Sequence, residues 1–381
     1  MFKIEPVAHL RSRTLGRELV RQLKFWPIVT LLGPRQSGKS TFLRELAFGA
    51  KKSSYVSLDK LANRRSSSLN PEGFLTQFEV EPIIIDEAHK SPELFDEIKA
   101  MVDENRRPGR FILTGSVRFS SKVGIRESFT GRAANLRFDS MTLAETTNQA
   151  PDLRVLRRYF NMGGMPAVCF LRDASQVERY WTEWLESTCQ RDLHQLSLGR
   201  LSSDLALQIL ESACQLEVPD SAAIAVKLRV DARRIRTHLD ALEELFLLRR
   251  WEPDPTSVGK TMYLPFDCGL AAHFKATPQR LWQVGFAHQL LNEARFAGER
   301  EPALRYNKTA RGSFCDFILE DRAIRFNDEP FPSSRMMLTV AALEKRLGRK
   351  RIIVASQTDQ PAQKISSRTV SVPWAGLFAS R

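Results

Sequence analysis

The chain has 381 residues, of which 43% are hydrophobic, enough apolar material for about two to four packed domains. Its five cysteines are scattered and form no C-x-x-C pair, which excludes a disulfide framework and a cysteine-ligated zinc site and favours a reducing cytoplasm. No apolar run of about 18 residues is present, so we expect no membrane span, and the first residues lack the apolar core of a signal peptide. The net charge of +13 indicates a polyanionic partner such as nucleic acid, although a surplus of surface lysine and arginine would give the same value.

The first motif follows a short apolar run that predicts a buried β-strand ending at Leu32. The sequence GPRQSGKS at residues 33–40 fits the pattern G-x-x-x-x-G-K-S/T of a phosphate-binding loop, or P-loop, and a helix is predicted directly after it. Glycines let backbone N–H groups approach phosphate oxygens, and the helix N-terminus adds partial positive charge. Lys39 would reach the β- and γ-phosphates of ATP, and the Ser40 hydroxyl would bind Mg²⁺. The predicted nucleotide-binding residues are Gly33, Pro34, Arg35, Gln36, Ser37, Gly38, Lys39, Ser40 and Thr41.

The second motif is PIIIDE at residues 82–87. Its apolar run predicts a buried parallel strand that ends in two adjacent carboxylates. Asp86 is placed to hold Mg²⁺, directly or through water, and Glu87 is the candidate that polarises the attacking water. A strand that simply ends in acidic residues at a solvated edge is the alternative, and it is disfavoured after a P-loop.

A third predicted strand, at residues 111–113, ends in Thr114-Gly115-Ser116. A polar side chain at this strand end can orient the water or touch the γ-phosphate. Thr114 is the first candidate and Ser116 the second, and an ordinary turn after a core strand is the alternative. Strands that alternate with helices predict an α/β fold with a doubly wound parallel sheet, in which ligands bind beyond the carboxyl ends of the strands.

Together with later stretches, these motifs resemble the AAA-type ATPases (AAA+ superfamily) of bacteria and archaea that carry a C-terminal domain of uncharacterised function. The resemblance covers nearly the whole chain, and its ordered combination of motifs is more specific than any one of them. The stretches that carry it are GPRQSGKST at 33–41, SLD at 57–59, IIIDEAHK at 83–90, ILTGS at 112–116, SFTGR at 128–132, GGMP at 163–166, RDL at 191–193, MYLPFDCGLAA at 262–272 and CDFILE at 315–320. The predicted domains are a P-loop AAA+ ATPase core at 1–150, a helical lid at 151–204, a winged helix at 205–265 and a nuclease-like domain at 266–381.

The resemblance implies roles for two arginines. Arg132 stands where AAA-type ATPases place an arginine that reaches the γ-phosphate of a neighbouring subunit. We therefore expect a homo-oligomeric ring, with a hexamer as the candidate size; a surface arginine that caps a turn is the alternative. Arg191 is a weaker candidate for a second sensor, and we favour an ion pair with Asp192 or Glu186 for it.

The region at 151–204 is helical and contains Trp181 and Trp184, which we expect in the core rather than in a base-stacking platform. Residues 205–265 predict a winged helix: two helices, a third helix capped by Asp231, and a hairpin with PDPTSVGK as the wing. A recognition helix places its N-terminal side chains in the major groove of DNA. The predicted DNA contacts are Arg233, Arg234, Arg236 and Lys260. A winged helix used only for packing or protein contacts is the alternative.

In the relatives, the last domain resembles a restriction-nuclease-like fold with an E-V-D segment and a later E-x-K. This chain retains only Asp316 of the first segment, and Arg325 and Asn327 replace the glutamate and lysine of the second. One carboxylate beside an arginine is a poor Mg²⁺ site, so we expect a scaffold without cleavage activity. The basic run at 345–351 could contact phosphate, and a solvated turn is the equal alternative.

The sequence thus predicts an ATP-hydrolysing, DNA-acting AAA+ protein, an oligomeric motor that translocates on DNA or remodels it, branched DNA included. The alternative, of a different class, is a nucleotide-gated switch or scaffold that binds a protein partner and turns ATP over slowly. DNA-stimulated ATP hydrolysis would separate the two.

Overall fold

The computed structural model describes residues 11–48, 53–119, 129–147, 150–169, 171, 173–196, 201–299, 302–348 and 350–378. Five strands form one parallel sheet in the order β2-β3-β4-β1-β5. These strands are β1 (Ile28–Leu32), β2 (Ser54–Ser57), β3 (Ile83–Asp86), β4 (Phe111–Gly115) and β5 (Ala133–Arg137). The helices of this part are α1 (Leu15–Gln22), α2 (Lys39–Phe48), α3 (Leu61–Leu69), α4 (Pro71–Thr76), α5 (Glu93–Glu104) and α6 (Leu143–Thr146).

Both faces of this sheet are covered, which explains why its central strands are apolar throughout. In β3, Ile83 and Ile85 point to a core shared with α4 and α5, whereas Ile84 points to a core shared with α1 and α2. Side chains alternate between the two faces of a strand, so a strand buried on both faces has no polar face to show. The expected doubly wound α/β sheet is confirmed.

The register of the sheet brings the ends of the central strands to one edge. Leu31 of β1 pairs with Thr114 of β4, and Ser57 of β2 pairs with Asp86 of β3. Strand β4 lies between β1 and β3, so the end of β4 separates the P-loop from the carboxylates. All three motifs therefore meet at the carboxyl edge of the sheet.

A helical region follows the sheet, with Trp181 and Trp184 buried among leucines of its helices, as expected. It contains α7 (Leu153–Met162) and α8 (Ala174–Ser187), then a π-helical turn (Thr188–Asp192) and a 3₁₀ turn (Leu193–Gln195). A unit of three helices and an antiparallel hairpin comes next: α9 (Ser203–Gln215), α10 (Ser221–Leu228), α11 (Ala232–Glu244), β6 (Leu248–Pro253) and β7 (Met262–Pro265). The Asp231 side chain caps α11, accepting hydrogen bonds from two backbone N–H groups of its first turn.

The remaining residues form two mixed sheets, of which the first extends the hairpin. Strand β6 pairs in parallel with β8, across the boundary predicted at residue 265, to give the order β7-β6-β8-β9. The second sheet has the order β10-β11-β12-β14-β13. The elements are α12 (Cys268–His273), α13 (Pro278–Phe296), β8 (Arg305–Lys308), β9 (Phe314–Cys315), β10 (Phe317–Ile318), β11 (Arg322–Asn327), α14 (Ser334–Arg346), β12 (Arg351–Ser356), β13 (Gln363–Lys364), β14 (Thr369–Pro373) and α15 (Trp374–Phe378).

A buried ionic junction joins these parts of the chain. Asp139, directly after β5, has its carboxylate 2.8 Å from Arg137 Nε, 3.2 Å from Arg249 Nη2 of β6 and 2.5 Å from Arg295 Nη1 of α13. Burial acts to raise the pKa of Asp139, but the three guanidinium groups hold that pKa well below its usual range. The parallel sheet, the hairpin and α13 therefore share one carboxylate.

A second junction explains two of the family-like stretches. The buried carboxylate of Asp267 accepts hydrogen bonds from the Ser140 hydroxyl at 2.6 Å, from Gly164 N at 3.0 Å and from Gly269 N at 2.7 Å. A Cβ on Gly163 would lie 1.8 Å from this carboxylate, so only glycine fits there. The GGMP and FDCGL stretches are thus packed against each other.

None of the helices in the described ranges is long and apolar enough to cross a membrane.

Candidate nucleotide-binding site

The P-loop runs from the end of β1 into α2, and its glycines are required by its shape. A Cβ on Gly33 would lie 1.9 Å from the carbonyl oxygen of Phe138, and Gly38 has a φ of +96° that disfavours other residues. Gln36 also adopts a left-handed conformation, with φ of 59°. Ser40 and Thr41 lie in the first turn of α2, as predicted.

Lys39 and Ser37 supply buried hydrogen-bond donors, and in the described part of the chain no carboxylate accepts from either of them. Lys39 Nζ is buried and donates to the backbone carbonyls of Gly33 at 2.9 Å and Pro34 at 2.8 Å, both in its own loop. Burial lowers the pKa of Lys39, and the nearby carboxylates of Glu87 and Asp86 oppose that effect. The Ser37 hydroxyl is buried and has no hydrogen-bond partner in the described part of the chain. Buried donors that have no acidic partner fit a phosphate group.

Asp86 is a buried carboxylate held by two neutral hydroxyl groups. Its Oδ1 accepts from Thr114 Oγ1 at 2.5 Å, and its Oδ2 accepts from Tyr55 OH at 2.7 Å. Burial and the bond to Asp86 raise the pKa of Tyr55 to about 12, so its hydroxyl keeps its proton. Across the described residues, no lysine or arginine forms an ion pair with Asp86. An oriented but uncompensated carboxylate has the chemistry of a Mg²⁺ ligand, and the Ser40 hydroxyl at the start of α2 could complete the pair.

Glu87 directly follows β3 and has a left-handed backbone, with φ of 57°. Its N–H donates to Thr114 Oγ1 at 3.1 Å, and its Oε2 lies 3.4 Å from the Ser116 hydroxyl and 3.3 Å from His89 Nδ1. Thr114 thus contacts both adjacent acids, which supports ranking it before Ser116. The side chain of Glu87 remains 17% exposed, so a water molecule can reach it.

The helical region supplies an acid that the sequence motifs did not reveal. Arg35 Nη1 donates to Asp192 Oδ1 at 2.7 Å, and Trp184 Nε1 donates to the carbonyl of Arg35 at 3.3 Å. The predicted ion pair of Arg191 with Asp192 or Glu186 is wrong: neither pair forms within the described residues, because Asp192 turns inward to Arg35 while Arg191 is exposed. The RDL stretch contains the signal, but its aspartate, rather than its arginine, faces the P-loop.

Arg13 is a further residue that no motif indicated. Its guanidinium donates to the carbonyls of Ser37 at 3.0 Å and Asp139 at 2.7 Å, lies 3.9 Å from the ring centroid of Phe138 and pairs with Glu145. It thereby fixes the middle of the P-loop to the segment after β5. Tyr55 and Arg13 come from distant parts of the chain and carry no local sequence signature.

Arg132 lies at the opposite edge of the sheet from the P-loop. Its carbonyl accepts from Ile28 N at the start of β1, and its side chain forms a two-point ion pair with Asp103 at 2.6 and 2.9 Å. Because β1 runs from this edge to the P-loop, Arg132 cannot serve the site of its own subunit. A role at a neighbouring subunit's site stays a prediction.

The arginines of α11 and the expected wing lie in different surroundings. Arg233, Arg234 and Arg236 are exposed, and within the described ranges none of them forms an ion pair. Lys260 is exposed as well, but its loop packs on β8: Val258 N donates to the Lys308 carbonyl, and Tyr306 OH donates to the Lys260 carbonyl at 2.5 Å. The loop is therefore a bound segment rather than a free wing.

Asp316 of the last domain is closed by its neighbours. Its buried carboxylate accepts from Gln283 Nε2 at 2.6 Å, from Phe326 N at 2.7 Å and from Arg325 Nη1 at 2.8 Å. Asn327 is buried and donates to Ser356 Oγ. The described residues contain no cluster of three His, Cys, Asp or Glu side chains that could hold a metal. In the basic run, Lys350 donates to the carbonyls of Leu319 and Glu320.

Comparison with known families identifies the class of the first part of the chain. Residues 26–147 match the family model described as an AAA domain. This segment contains the parallel sheet, the P-loop, Asp86, Glu87 and Thr114. It is a P-loop ATPase domain of the AAA type, as expected from the motifs.

More distant likenesses extend over more of the chain. Two uncharacterized proteins, from Mycobacterium bovis and Mycobacterium tuberculosis, are each 26% identical to it over 330 residues, covering 84% of this chain and 68% of theirs. A Walker-type ATPase of Pyrococcus abyssi aligns with a TM-score of 0.44 and 16% identity, over 68% of this chain and 94% of its own. A signal-transduction ATPase with a tetratricopeptide repeat sensor from Pyrococcus horikoshii aligns with a TM-score of 0.30 and 12% identity, over 76% and 46% of the two chains. With TM-scores below 0.5, neither structural likeness establishes the fold of this chain.

Proposed function

We propose that this chain hydrolyses ATP with Mg²⁺ as cofactor and uses the cycle to act on DNA as an oligomeric motor. Lys39 and the P-loop N–H groups bind the phosphates, and Ser40 and Asp86 hold the ion, which neutralises phosphate charge when bound. Glu87 takes the proton of the attacking water, and Thr114 fixes Asp86 and Glu87 relative to each other. The five cysteines are free buried thiols, which supports a reducing cytoplasmic setting.

The observation that carries the DNA part is the exposed arginine cluster at the start of α11. Arg233, Arg234 and Arg236 are exposed and form no ion pair with any described acidic residue. The chain has a net charge of +13. Three helices followed by an antiparallel hairpin support a winged helix, with α11 as the recognition helix. Lys260 would add a contact from the loop beside β8. Phosphate contacts of this kind give affinity without reading base sequence.

Oligomerisation is supported by where Arg132 lies. A guanidinium this far from its own P-loop can reach only a neighbour's site, and to do so it would leave the ion pair that it forms with Asp103 in its own subunit. A matched mixing experiment tests this role: Arg132→Ala subunits, which retain their own P-loop, are added to Lys39→Ala subunits, which retain Arg132. Recovery of ATP turnover in the mixture supports a ring with shared sites. Turnover that Arg132→Ala leaves at the wild-type rate contradicts it.

The last domain acts in this proposal as a nuclease-like scaffold without cleavage. The ion pair of Arg325 with Asp316 supports that role, because the only retained carboxylate is already neutralised within the fold. Metal-dependent cutting of DNA that disappears in an Asp316→Ala variant would contradict it.

A nucleotide-gated switch that binds a protein partner is the second candidate. It is favoured by the loop 254–261, which packs on β8 instead of projecting, and by the Asp139 junction that ties the ATPase sheet to the later domains. These contacts suit the transmission of a nucleotide state as well as they suit a motor.

The deciding experiment measures ATP turnover of the full chain with duplex, single-stranded and four-way-junction DNA. Stimulation by one DNA form, lost in Glu87→Gln and in the triple variant Arg233→Ala/Arg234→Ala/Arg236→Ala, supports the motor. The matched control is Arg154→Ala/Arg157→Ala/Arg158→Ala, which removes the same charge from the exposed face of α7. Slow turnover that responds to no DNA form supports the switch.

A further inference from the structure

Arg35, the third residue of the P-loop, is tied at both its side chain and its backbone to the helical region. Its guanidinium donates to Asp192 at 2.7 Å, and its carbonyl accepts from the indole of Trp184 at 3.3 Å. Trp184 belongs to α8 and Asp192 to the π-helical turn that follows it. The region from α8 to Asp192 is therefore hydrogen-bonded to the part of the P-loop that precedes Lys39.

Asp192 is a buried acid that contacts the P-loop through the guanidinium of Arg35. It is 3% exposed, and burial raises the pKa of its carboxyl although Arg35 opposes that effect. The charge of Glu87 also raises the pKa of Asp192, whereas those of Lys90 and Lys39 lower it. A buried carboxylate depends on its cation, and in this structure that cation is Arg35.

A nucleotide would compete with Asp192 for the same guanidinium. Arg35 has five N–H donors, and the described contacts engage one of them. Planar guanidinium groups bind phosphate oxygens with two parallel hydrogen bonds, which one carboxylate oxygen at 2.7 Å does not match. The γ-phosphate also brings negative charge to a P-loop whose Arg35 is already paired with the carboxylate of Asp192.

We propose that Asp192 is a positioning residue that holds Arg35 and the P-loop against α8 before nucleotide binds, and that the terminal phosphate of ATP displaces it from Arg35. Asp192 thereby lowers the affinity of the site for a triphosphate relative to a diphosphate. The bond from the Trp184 indole goes to the backbone carbonyl of Arg35, and we infer that it also breaks when ATP is bound, which separates the helical region from the P-loop. This inference rests on the proposed ATP site.

The test uses the full chain, ADP and a non-hydrolysable ATP analogue, with affinities measured by calorimetry. We expect Asp192→Asn to bind the analogue roughly tenfold more tightly than wild type, with less than about a twofold change for ADP, because only the terminal phosphate competes with the carboxylate for Arg35. Asp192→Glu, which retains the charge, should restore weak binding of the analogue. Equal gains for ADP and the analogue, or no gain, would overturn the proposal.

A second readout does not depend on an acidic-site variant. The analogue should change the tryptophan emission of the wild-type chain, and that change should be lost in Trp184→Phe, which removes the reporting indole together with its bond to the Arg35 carbonyl. An emission change that persists in Trp184→Phe, or is absent from wild type at saturating analogue, overturns separation of the helical region. Failure of the wild-type chain to bind either nucleotide overturns the ATP site itself. If the wild type binds both and Asp192→Asn has the same affinities, this inference alone is overturned.

Discussion

Asp86 and Asp316 are two buried aspartates at the ends of short strands, and the fold treats their charges in opposite ways. Asp86 receives two hydroxyl groups, from Thr114 and Tyr55. Asp316 receives an amide, a backbone N–H and the guanidinium of Arg325. Both carboxylates have hydrogen-bond partners, but only Asp316 has its charge neutralised by a neighbouring side chain.

This difference separates a carboxylate that is free to attract a cation from one that is already paired. Neutral donors orient a carboxylate and leave its negative charge to attract a cation, whereas a guanidinium already occupies the place that a cation would take. A carboxylate at a strand end is therefore insufficient evidence for a metal site. What its donors are decides whether it is available.

The largest effect on ATP turnover is expected at Glu87, next to the unpaired carboxylate of Asp86. Glu87→Gln should lower the rate of ATP turnover by roughly 10²–10⁴-fold, because the amide cannot accept a proton from water. Nucleotide affinity, measured by calorimetry, should stay within a few-fold of wild type, since Glu87 contacts the P-loop only indirectly. Retention of more than about a tenth of the turnover would assign the proton transfer to another group.

Asp316, whose charge is paired with Arg325, should affect the stability of the fold and not ATP turnover. Asp316→Ala leaves Arg325 buried without its partner and should lower the free energy of unfolding by about 3–5 kcal/mol, measured by urea denaturation. At temperatures where the variant is folded, its ATP turnover should equal that of wild type. The double variant Asp316→Asn/Arg325→Gln, which removes both charges together, should be less destabilised than Asp316→Ala. A loss of turnover without a loss of stability would show that Asp316 has a role in the ATP site.

The hydroxyl shared by the two acids gives a smaller effect. Thr114→Val removes a hydrogen bond to a charged group, which is worth about 1.5–3 kcal/mol, so ATP turnover should fall roughly tenfold or more. Thr114→Ser keeps the hydroxyl and should retain most of the rate. If Ser116→Ala is more damaging than Thr114→Val, the order of these two residues is reversed.

The smallest effect is expected at the second donor to Asp86. Tyr55→Phe removes one of the two hydroxyl groups that donate to Asp86. It should raise the Mg²⁺ concentration that gives half-maximal turnover by about fivefold, or about 1 kcal/mol. A Mg²⁺ titration of the ATP turnover rate measures it. The maximal rate at saturating Mg²⁺ should change little, and a fall in that rate alone would place Tyr55 in the chemical step.

The sequence is sufficient for those parts of the site that are contiguous in the chain. Lys39, Asp86, Glu87 and Thr114 could be assigned because each lies in a short motif at the carboxyl end of a buried strand, and parallel strands end at one edge. The helices α9 to α11 were also predictable, since caps such as Asp231 and the apolar spacing are local signals. The sequence also showed that Arg325 stands where the family pattern has an acid, which is unfavourable for binding Mg²⁺.

Contacts between distant residues could not be predicted in this way. Arg35 and Asp192 are 157 positions apart, and Arg13 lies 126 positions from Asp139. No periodicity links such residues, because their meeting depends on how the helical region packs on the sheet. For the same reason the sequence predicted the PDPTSVGK loop as a wing but gave no sign of its contacts with β8.

The Asp139 junction has a practical consequence for dissecting the molecule. Arg249 and Arg295 come from regions that a truncation after residue 150 would delete, although both neutralise an acid within the ATPase segment. Such a fragment would keep every nucleotide-site motif yet expose the apolar and ionic surface on which the later domains rest. Truncated forms are therefore poor proxies for the ATPase domain, and the boundaries readable in the sequence are not lines along which the protein can be cut.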